Sequence, residues 1–364
     1  MSSRRVSFIG LGLLGALVAC SPSTEGVSDG EEELGKPPSG VGFVYVDEGK
    51  YGWFESCVAT LTGPTTVVSH ASCLSPEFLP AKPGGFKLYF VPANGVSSRS
   101  TWIQITKASR YQRVALGTLA RASSQKPIPV TADSLSKADV GSTFVAPYAA
   151  GDVTAPTLKA GTTKLRAVSG QGMKAIFPTL QDWANAVQTG SAASKIVKAG
   201  PNGPEAAIWQ RPLLNGYQSL ARGANENVVD VATAMHSKGA PLLRKVGAGY
   251  ELVAIDDDAV DTRYTSNDGR NAILATQYLT VTKDVAAFLG GAKVAENHCL
   301  GVPVNAGSCV DNFYFNCVDY ADVGLAPTID EISNDDVSGI VEPFCGTKTC
   351  VVGPSKPGSK ASCQ

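Results

Sequence analysis

His236, Ser237 and Lys238 stand side by side, and a hydroxyl flanked by two candidate bases is the raw material of covalent hydrolysis. In such chemistry the hydroxyl attacks a carbonyl carbon while the base takes its proton. Adjacent side chains on an extended segment point to opposite faces, so sequence neighbours rarely make the hydrogen bond this needs. The run reads as a loop. A pairing of His70 with Ser237, brought together by the fold, is the other way to set a hydroxyl beside a base.

Other groups of polar residues have plainer readings. Asp256, Asp257 and Asp258 with Asp261 gather carboxylates as a calcium site does, but the spacing is not that of an EF-hand. A solvated loop is the simpler reading, and the acidic run from Asp330 through Asp335 and Asp336 reads the same way. His298 beside Cys299 reads as a surface histidine rather than a metal ligand. Trp53, Trp102, Trp183 and Trp209 are spread along the chain and read as packing residues, not as a ligand cage. The paired CxxC or Cys/His spacing of a zinc site does not occur. Neither a metal nor a cofactor is expected.

The N-terminus carries the most specific signal. Arg4 and Arg5 precede an apolar run from Val6 to Val18 that ends in Leu17-Val18-Ala19-Cys20. A short apolar stretch behind two arginines reads as an export signal, not a spanning helix. The small residue followed by cysteine resembles the lipobox of bacterial lipoproteins. That resemblance implies cleavage after residue 20's predecessor, diacylation of the Cys20 thiol and a two-chain anchor in the membrane. Ser21, standing where inner-membrane retention signals carry Asp, favours delivery to the outer membrane. Of nine cysteines, eight remain: Cys57, Cys73, Cys299, Cys309, Cys317, Cys345, Cys350 and Cys363. An even remainder in an oxidising compartment implies up to four disulfides.

The elements that would position these groups are mostly short strands. Residues 1–20 are the export signal and 21–40, rich in Ser, Gly, Pro and Glu, read as a flexible tether. From Val41 onward, strands are predicted at Gly42–Val46, Cys57–Leu61, Thr66–Ser69, Phe86–Val91, Trp102–Thr106, Val114–Leu116, Thr143–Ala146, Ala207–Trp209 and Leu252–Ile255. Turn signals such as Gly63-Pro64 and Pro83-Gly84-Gly85 separate them. Amphipathic patterns predict helices at Leu180–Val187, on the surface, and at Thr282–Leu289, the second with a Thr cap and a Gly290-Gly291 stop. Residues 292–364 hold six cysteines and read as a small module held by disulfides rather than by a core. A formal net charge of -1 offers no field for nucleic acid, and no nucleic-acid partner is expected.

Three segments, in order, resemble the chymotrypsin/trypsin family of serine peptidases. Cys57-Val-Ala-Thr-Leu-Thr-Gly-Pro-Thr-Thr-Val-Val-Ser-His-Ala-Ser-Cys73 is similar to the family's C-x-G-T-L…V-L-T-A-A-H-C stretch. Tyr111-Gln-Arg-Val-Ala-Leu116 resembles its D-I-A-L strand, and Ser237-Lys-Gly-Ala-Pro-Leu-Leu243 its G-D-S-G-G-P-L loop. The match spans about residues 40–291. It implies an all-β domain over 41–291, made of two packed antiparallel six-stranded barrels with a C-terminal helix, and a Cys57–Cys73 bridge. It also shows what is missing. The family histidine falls on Ser72, its aspartate on Arg113, its serine on Lys238, the aspartate before that serine on Ser237 and an oxyanion-hole glycine on His236. No Asp or Glu occurs from Phe78 to Ala132, so no shift of alignment supplies the carboxylate. A unit of this kind loses on the order of 10⁴–10⁶ in kcat when one member is removed.

The chain is therefore expected to be a non-catalytic cell-envelope lipoprotein, tethered to the membrane through Cys20. A protein or peptide ligand in the cleft between the barrels would follow from the fold's habit of pairing an extended chain there. Two alternatives stand beside it. One is a residual serine hydrolase using His70 and Ser237, displaced from the family positions. The other is an adhesion or envelope-attachment protein acting through the cysteine-rich tail.

Overall fold

The computed structural model describes residues 36–294, apart from 48–52, 75–78, 80–86, 132–134, 153, 169–170, 172, 189, 204–205, 207–208, 211–225, 230–236 and 266–270, and the backbone of five strands within 307–363. The export signal, Cys20, His236, His298, Cys299, Cys345 and the acidic run from Asp330 lie outside the described residues.

Six strands come first: β1 (Val41–Asp47), β2 (Trp53–Gly63), β3 (Thr66–His70), β4 (Lys87–Pro92), β5 (Ile103–Tyr111) and β6 (Val114–Leu119). They close a barrel in the order β1-β2-β3-β6-β5-β4. Later in the chain come β7 (Thr143–Val145), β10 (Thr162–Ala167), β11 (Glu226–Val229), β12 (Pro241–Val246), β13 (Gly249–Thr265) and β14 (Asn271–Thr280). These close a second barrel in the order β7-β10-β11-β14-β13-β12. Numbered within each barrel, the two orders are the same, 1-2-3-6-5-4, and every ladder between neighbouring strands is antiparallel. This is the chymotrypsin-like double barrel. A small hairpin of β8 (Tyr148–Ala150) and β9 (Thr157–Lys159) sits between β7 and β10 in sequence, and the barrel region ends in a short helix at Lys283–Leu289.

Alternation along the strands sorts the side chains into three places. In β1, Val44 packs inside the first barrel with Leu61, Val67, Leu88, Phe90 and Ile105. Its neighbours Val41, Phe43 and Tyr45 turn the other way, into a cluster that also takes Val145, Ala240, Leu243, Leu252, Ile255 and Leu279 from the second barrel. The second barrel fills its own interior with Phe144, Leu165, Leu242, Val253 and Tyr278. The largest of the apolar clusters is thus the one in which the two barrels meet, and the two halves are held as one body by ordinary hydrophobic burial. Pro38–Gly40, inside the stretch read as tether, already join the barrel: the Val41 N–H donates to Pro38 O at 3.0 Å and the Leu61 N–H to Gly40 O at 2.7 Å.

Between β10 and β11 lie the helices α1 (Met173–Ile176), α2 (Leu180–Val187) and α3 (Gly190–Ala199). Thr179 caps α2 by accepting from the Asp182 N–H, and Asp182 returns the bond to Thr179, a capping box. Their shared core takes Trp183, Ala184, Ala193, Ile196 and Trp209. Here the expected strand at Ala207–Trp209 is corrected at Trp209, which is helical, as are Ala206 and Gln210; residues 207–208 lie outside the described residues. The indole of Trp209 packs with this helical cluster and donates to Phe177 O at 2.7 Å, so its context is helical despite a β-branched and aromatic run. The final helix, α4 (Lys283–Leu289), begins at a Thr282 cap and buries Val285, Phe288 and Leu289 against the inter-barrel cluster. Beyond it the tail forms a sheet β15-β16-β17 (Gly307–Val310, Phe313–Asp319, Ser338–Val341) and a hairpin of β18 (Cys350–Val352) and β19 (Ala361–Cys363).

Candidate functional site: a buried charge cluster between the barrels

The residues singled out for chemistry converge where the barrels touch, though in another combination. His70 is the last residue of β3, and in register it faces Val114 on β6. The two-residue turn Gln112-Arg113 joins β5 to β6, with Gln112 held at φ 53, and so carries Arg113 to the same end of the barrel. The Arg113 carbonyl accepts the Ala71 N–H at 2.8 Å, which ties that turn to the chain leaving His70. From the second barrel comes Asp257 on β13. Asp256 pairs with Tyr278 and Asp258 with Gln277, so Asp257 is the extra residue of a β-bulge with no partner of its own in the ladder. Bulges re-aim side chains in this way.

The result is a three-membered ion and hydrogen-bond cluster. His70 Nε2 lies 2.8 Å from Asp257 Oδ1, and Arg113 Nη1 lies 2.5 Å from Asp257 Oδ2. His70 and Asp257 are fully enclosed and Arg113 is 3% exposed. The other ring nitrogen, His70 Nδ1, accepts from the Ser72 N–H at 3.1 Å and sits 2.7 Å from Ser72 Oγ. These partners fix the tautomer: Nε2 carries the proton and donates to the carboxylate, while Nδ1 is the acceptor. Both nitrogens are committed.

The electrostatics oppose a charged imidazole. Burial is the main cause that drives the His70 pKa from 6.5 down to about 4; Asp257 pulls it up, and Arg113 and Lys238 push it down. For Asp257, burial works towards the neutral acid, but the Arg113 guanidinium, the His70 bond and Lys238 outweigh it and hold its pKa below 3.8. The carboxylate is therefore ionised and already neutralised by Arg113. A proton added to His70 would leave an uncompensated positive charge in a closed site. In a hydrolytic triad the carboxylate is there to favour that imidazolium. Here it serves the guanidinium.

The loop that would hold a nucleophile is equally committed. Ser237 is 1% exposed and its Oγ accepts the Ala149 N–H at 3.1 Å, so it is engaged within its own barrel and not with His70. The structure does not bring the His70–Ser237 pair together. Lys238 is half-buried, and its carbonyl accepts the Val58 N–H of the first barrel at 3.0 Å. Gly239 follows with φ +81, its N–H on Asp256 O at 2.8 Å. A Cβ there would collide with Ser69 Oγ and lie 2.6 Å from Val58 O and 3.0 Å from the backbone nitrogen of His70. Only glycine fits such a left-handed, close-packed position. Gly239→Ala is expected to cost about 1–2 kcal/mol for the backbone and ~1–3 kcal/mol more for overpacking. Gly141→Ala, at φ +88 with nothing within 4 Å, should lose only the first of these; urea midpoints of the two variants check the difference.

Two expectations are corrected. Asp256 and Asp257 are not in a solvated loop: they lie in β13 at 2% and 0% exposure, and Asp257 is the centre of the cluster. The missing carboxylate is likewise present, but it comes from the second barrel rather than from the stretch between Phe78 and Ala132. Three adjacent aspartates were the available signal; the bulge that singles out the middle one has no sequence signature. Cys57 and Cys73 form the expected bridge, with Cα atoms 6.0 Å apart, and Ser72 Oγ lies 3.5 Å from Cys73 Sγ. The cysteines of β15, β16, β18 and β19 lie in described backbone, and the positions of their side chains are not described.

No family model matches the chain, and no curated protein does. Among solved structures it is similar to a thermostable serine protease from an extremophilic microorganism, at 12% identity over 67% of this chain and 92% of that one, with a TM-score of 0.38. Neither site residues nor an activity carries over from a likeness at that identity.

Proposed function

We propose that this chain is a non-catalytic, exported lipoprotein that uses a peptidase-type double barrel as a binding scaffold. The observation that carries the reading is the commitment of His70: an enclosed imidazole, bonded at both nitrogens, facing a carboxylate that Arg113 has already neutralised. A general base needs a free lone pair within reach of the substrate and a pKa near the working pH. His70 has neither, and the position after Ser237 holds the half-buried amine of Lys238 rather than a hydroxyl. The anchor is the lipidated Cys20 and the location the cell envelope, facing from the outer membrane. The ligand is a protein or an extended peptide, taken along the cleft between the barrels.

One contact favours a second reading. Ser72 Oγ, His70 and Asp257 form an unbroken hydrogen-bonded chain, and Ser72 is partly exposed. If a hydrolase survives, Ser72 is its nucleophile in place of Ser237. A fluorophosphonate probe separates the readings. No covalent labelling is expected at any pH between 6 and 9; labelling lost on Ser72→Ala or Ser237→Ala overturns the non-catalytic reading. For binding, immobilised Cys20→Ser chain is expected to retain an envelope protein that an unrelated double-barrel peptidase does not. If it retains none, the scaffold reading fails.

A further inference from the structure

We propose that Cys350 and Cys363 form a disulfide that closes the C-terminal hairpin, and that Cys309 and Cys317 are not bonded to each other. β18 and β19 are antiparallel, and Cys350 stands directly opposite Cys363 in their register. Opposed Cα atoms in such a pair are about 4.5 or 5.5 Å apart, according to the hydrogen-bonding site, and both values lie inside the range a disulfide spans. Cys309 on β15 stands opposite Tyr314 on β16, three positions from Cys317. At ~3.3 Å per residue those two are roughly 10 Å apart along the strand, and an odd offset puts them on opposite faces. That is beyond the ~7 Å limit for bridging. With Cys57 bonded to Cys73, the pairing left for Cys309 and Cys317 is with Cys299 and Cys345, one each.

The inference rests on the export reading, which supplies the oxidant: a disulfide of a thiol–disulfide oxidoreductase. The Cys350 thiolate attacks one sulfur of that donor, giving a mixed disulfide and releasing one donor thiol. The Cys363 thiolate then attacks the Cys350 sulfur and releases the second. Two cysteine thiols are oxidised and one donor disulfide is reduced to a dithiol, so the electrons balance. The bridge ties the last strand, three residues long, to the hairpin across the intervening residues 353–360.

The positions of lysine and arginine make the test direct. No Lys or Arg occurs between Lys293 and Lys348, so trypsin leaves Cys299, Cys309, Cys317 and Cys345 in one peptide, residues 294–348. Cys350 falls in 349–360, Lys356 being protected by Pro357, and Cys363 in 361–364. Full-length protein from the envelope fraction is alkylated, denatured, digested without reductant and analysed by mass spectrometry. The expected result is peptide 349–360 covalently joined to 361–364, separating on reduction, with 294–348 free of both and gaining four hydrogens. In the Cys363→Ser variant Cys350 should become alkylated. Cross-linking of either small peptide to 294–348, or alkylation of Cys350 in the unsubstituted chain, overturns the pairing. Peptide 51–87, holding Cys57 and Cys73, is the internal reference. If it is oxidised while Cys350 is free, this inference alone fails; if it too is reduced, the export reading fails with it.

Discussion

Asp257→Asn should destabilise the protein by about 3–5 kcal/mol, the cost of removing one partner from a buried charge pair and stranding the others. The substitution keeps the shape of the side chain and removes its charge. The Arg113 guanidinium then faces an amide in a site with 3% exposure, and the His70 Nε2–H loses an ionised acceptor. In a domain of this size the melting temperature should fall on the order of 10 °C. The informative companion is a triple variant, Asp257→Leu, Arg113→Met and His70→Leu. Replacing a whole buried cluster with apolar residues of similar volume is often neutral or stabilising. Recovery of most of the loss in the triple variant would assign the effect to stranded charge. Equal melting of wild type and Asp257→Asn would show that the cluster contributes nothing, and would remove the basis for treating it as a staple between barrels.

Acidification should weaken the fold well before the carboxylates titrate. The folded His70 has a pKa of about 4 against 6.5 when free, so between those values the unfolded chain binds a proton that the folded chain refuses. The contribution is complete above 6.5 and is lost as pH falls towards 4. The gap corresponds to roughly 3 kcal/mol. Asp257 acts in the same direction but lower: its pKa lies below 3.8 in the folded state, so its contribution is present above that value and is lost as pH falls through its folded pKa. Urea unfolding of wild type at pH 7.5 and pH 4.5 should therefore show a large drop, and the same measurement on His70→Gln a much smaller one. Parallel pH curves for the two proteins would mean that His70 titrates normally and is not enclosed as described.

The double barrel was legible mainly through the resemblance of three ordered segments, while the apolar runs alone pointed only to many short strands. Gly42-Phe-Val-Tyr-Val46 is apolar throughout because β1 is buried on both faces, so which of its side chains enter the barrel could not be read from it; the Cys57–Cys73 bridge was implied by the resemblance. The α3 helix and the helical Trp209 were not legible, since an Ala- and Lys-rich run and an Ala-Ile-Trp run are decided by tertiary packing on Trp183 rather than by local preference. The site was half legible. His70 and Arg113 were identified as residues standing at or beside positions where different groups were expected. That they share a partner could not be read, because Asp257 is 187 residues from His70 and 144 from Arg113, and its direction is set by a bulge. The first barrel lacks the carboxylate, and the second supplies it across the interface.

Those long separations also set an order of assembly. Every strand of the first barrel is complete by Leu119, whereas Asp257 is synthesised well over a hundred residues later. Without Asp257 the Arg113 guanidinium has no carboxylate in this cluster, so the cluster cannot form from the first barrel alone. Contacts that close such large loops form late in folding, after more local ones. The charges of the cluster and the inter-barrel rings of Phe43 and Tyr45 therefore leave water only when the second barrel docks, so sealing the ions and burying the apolar seam are a single event.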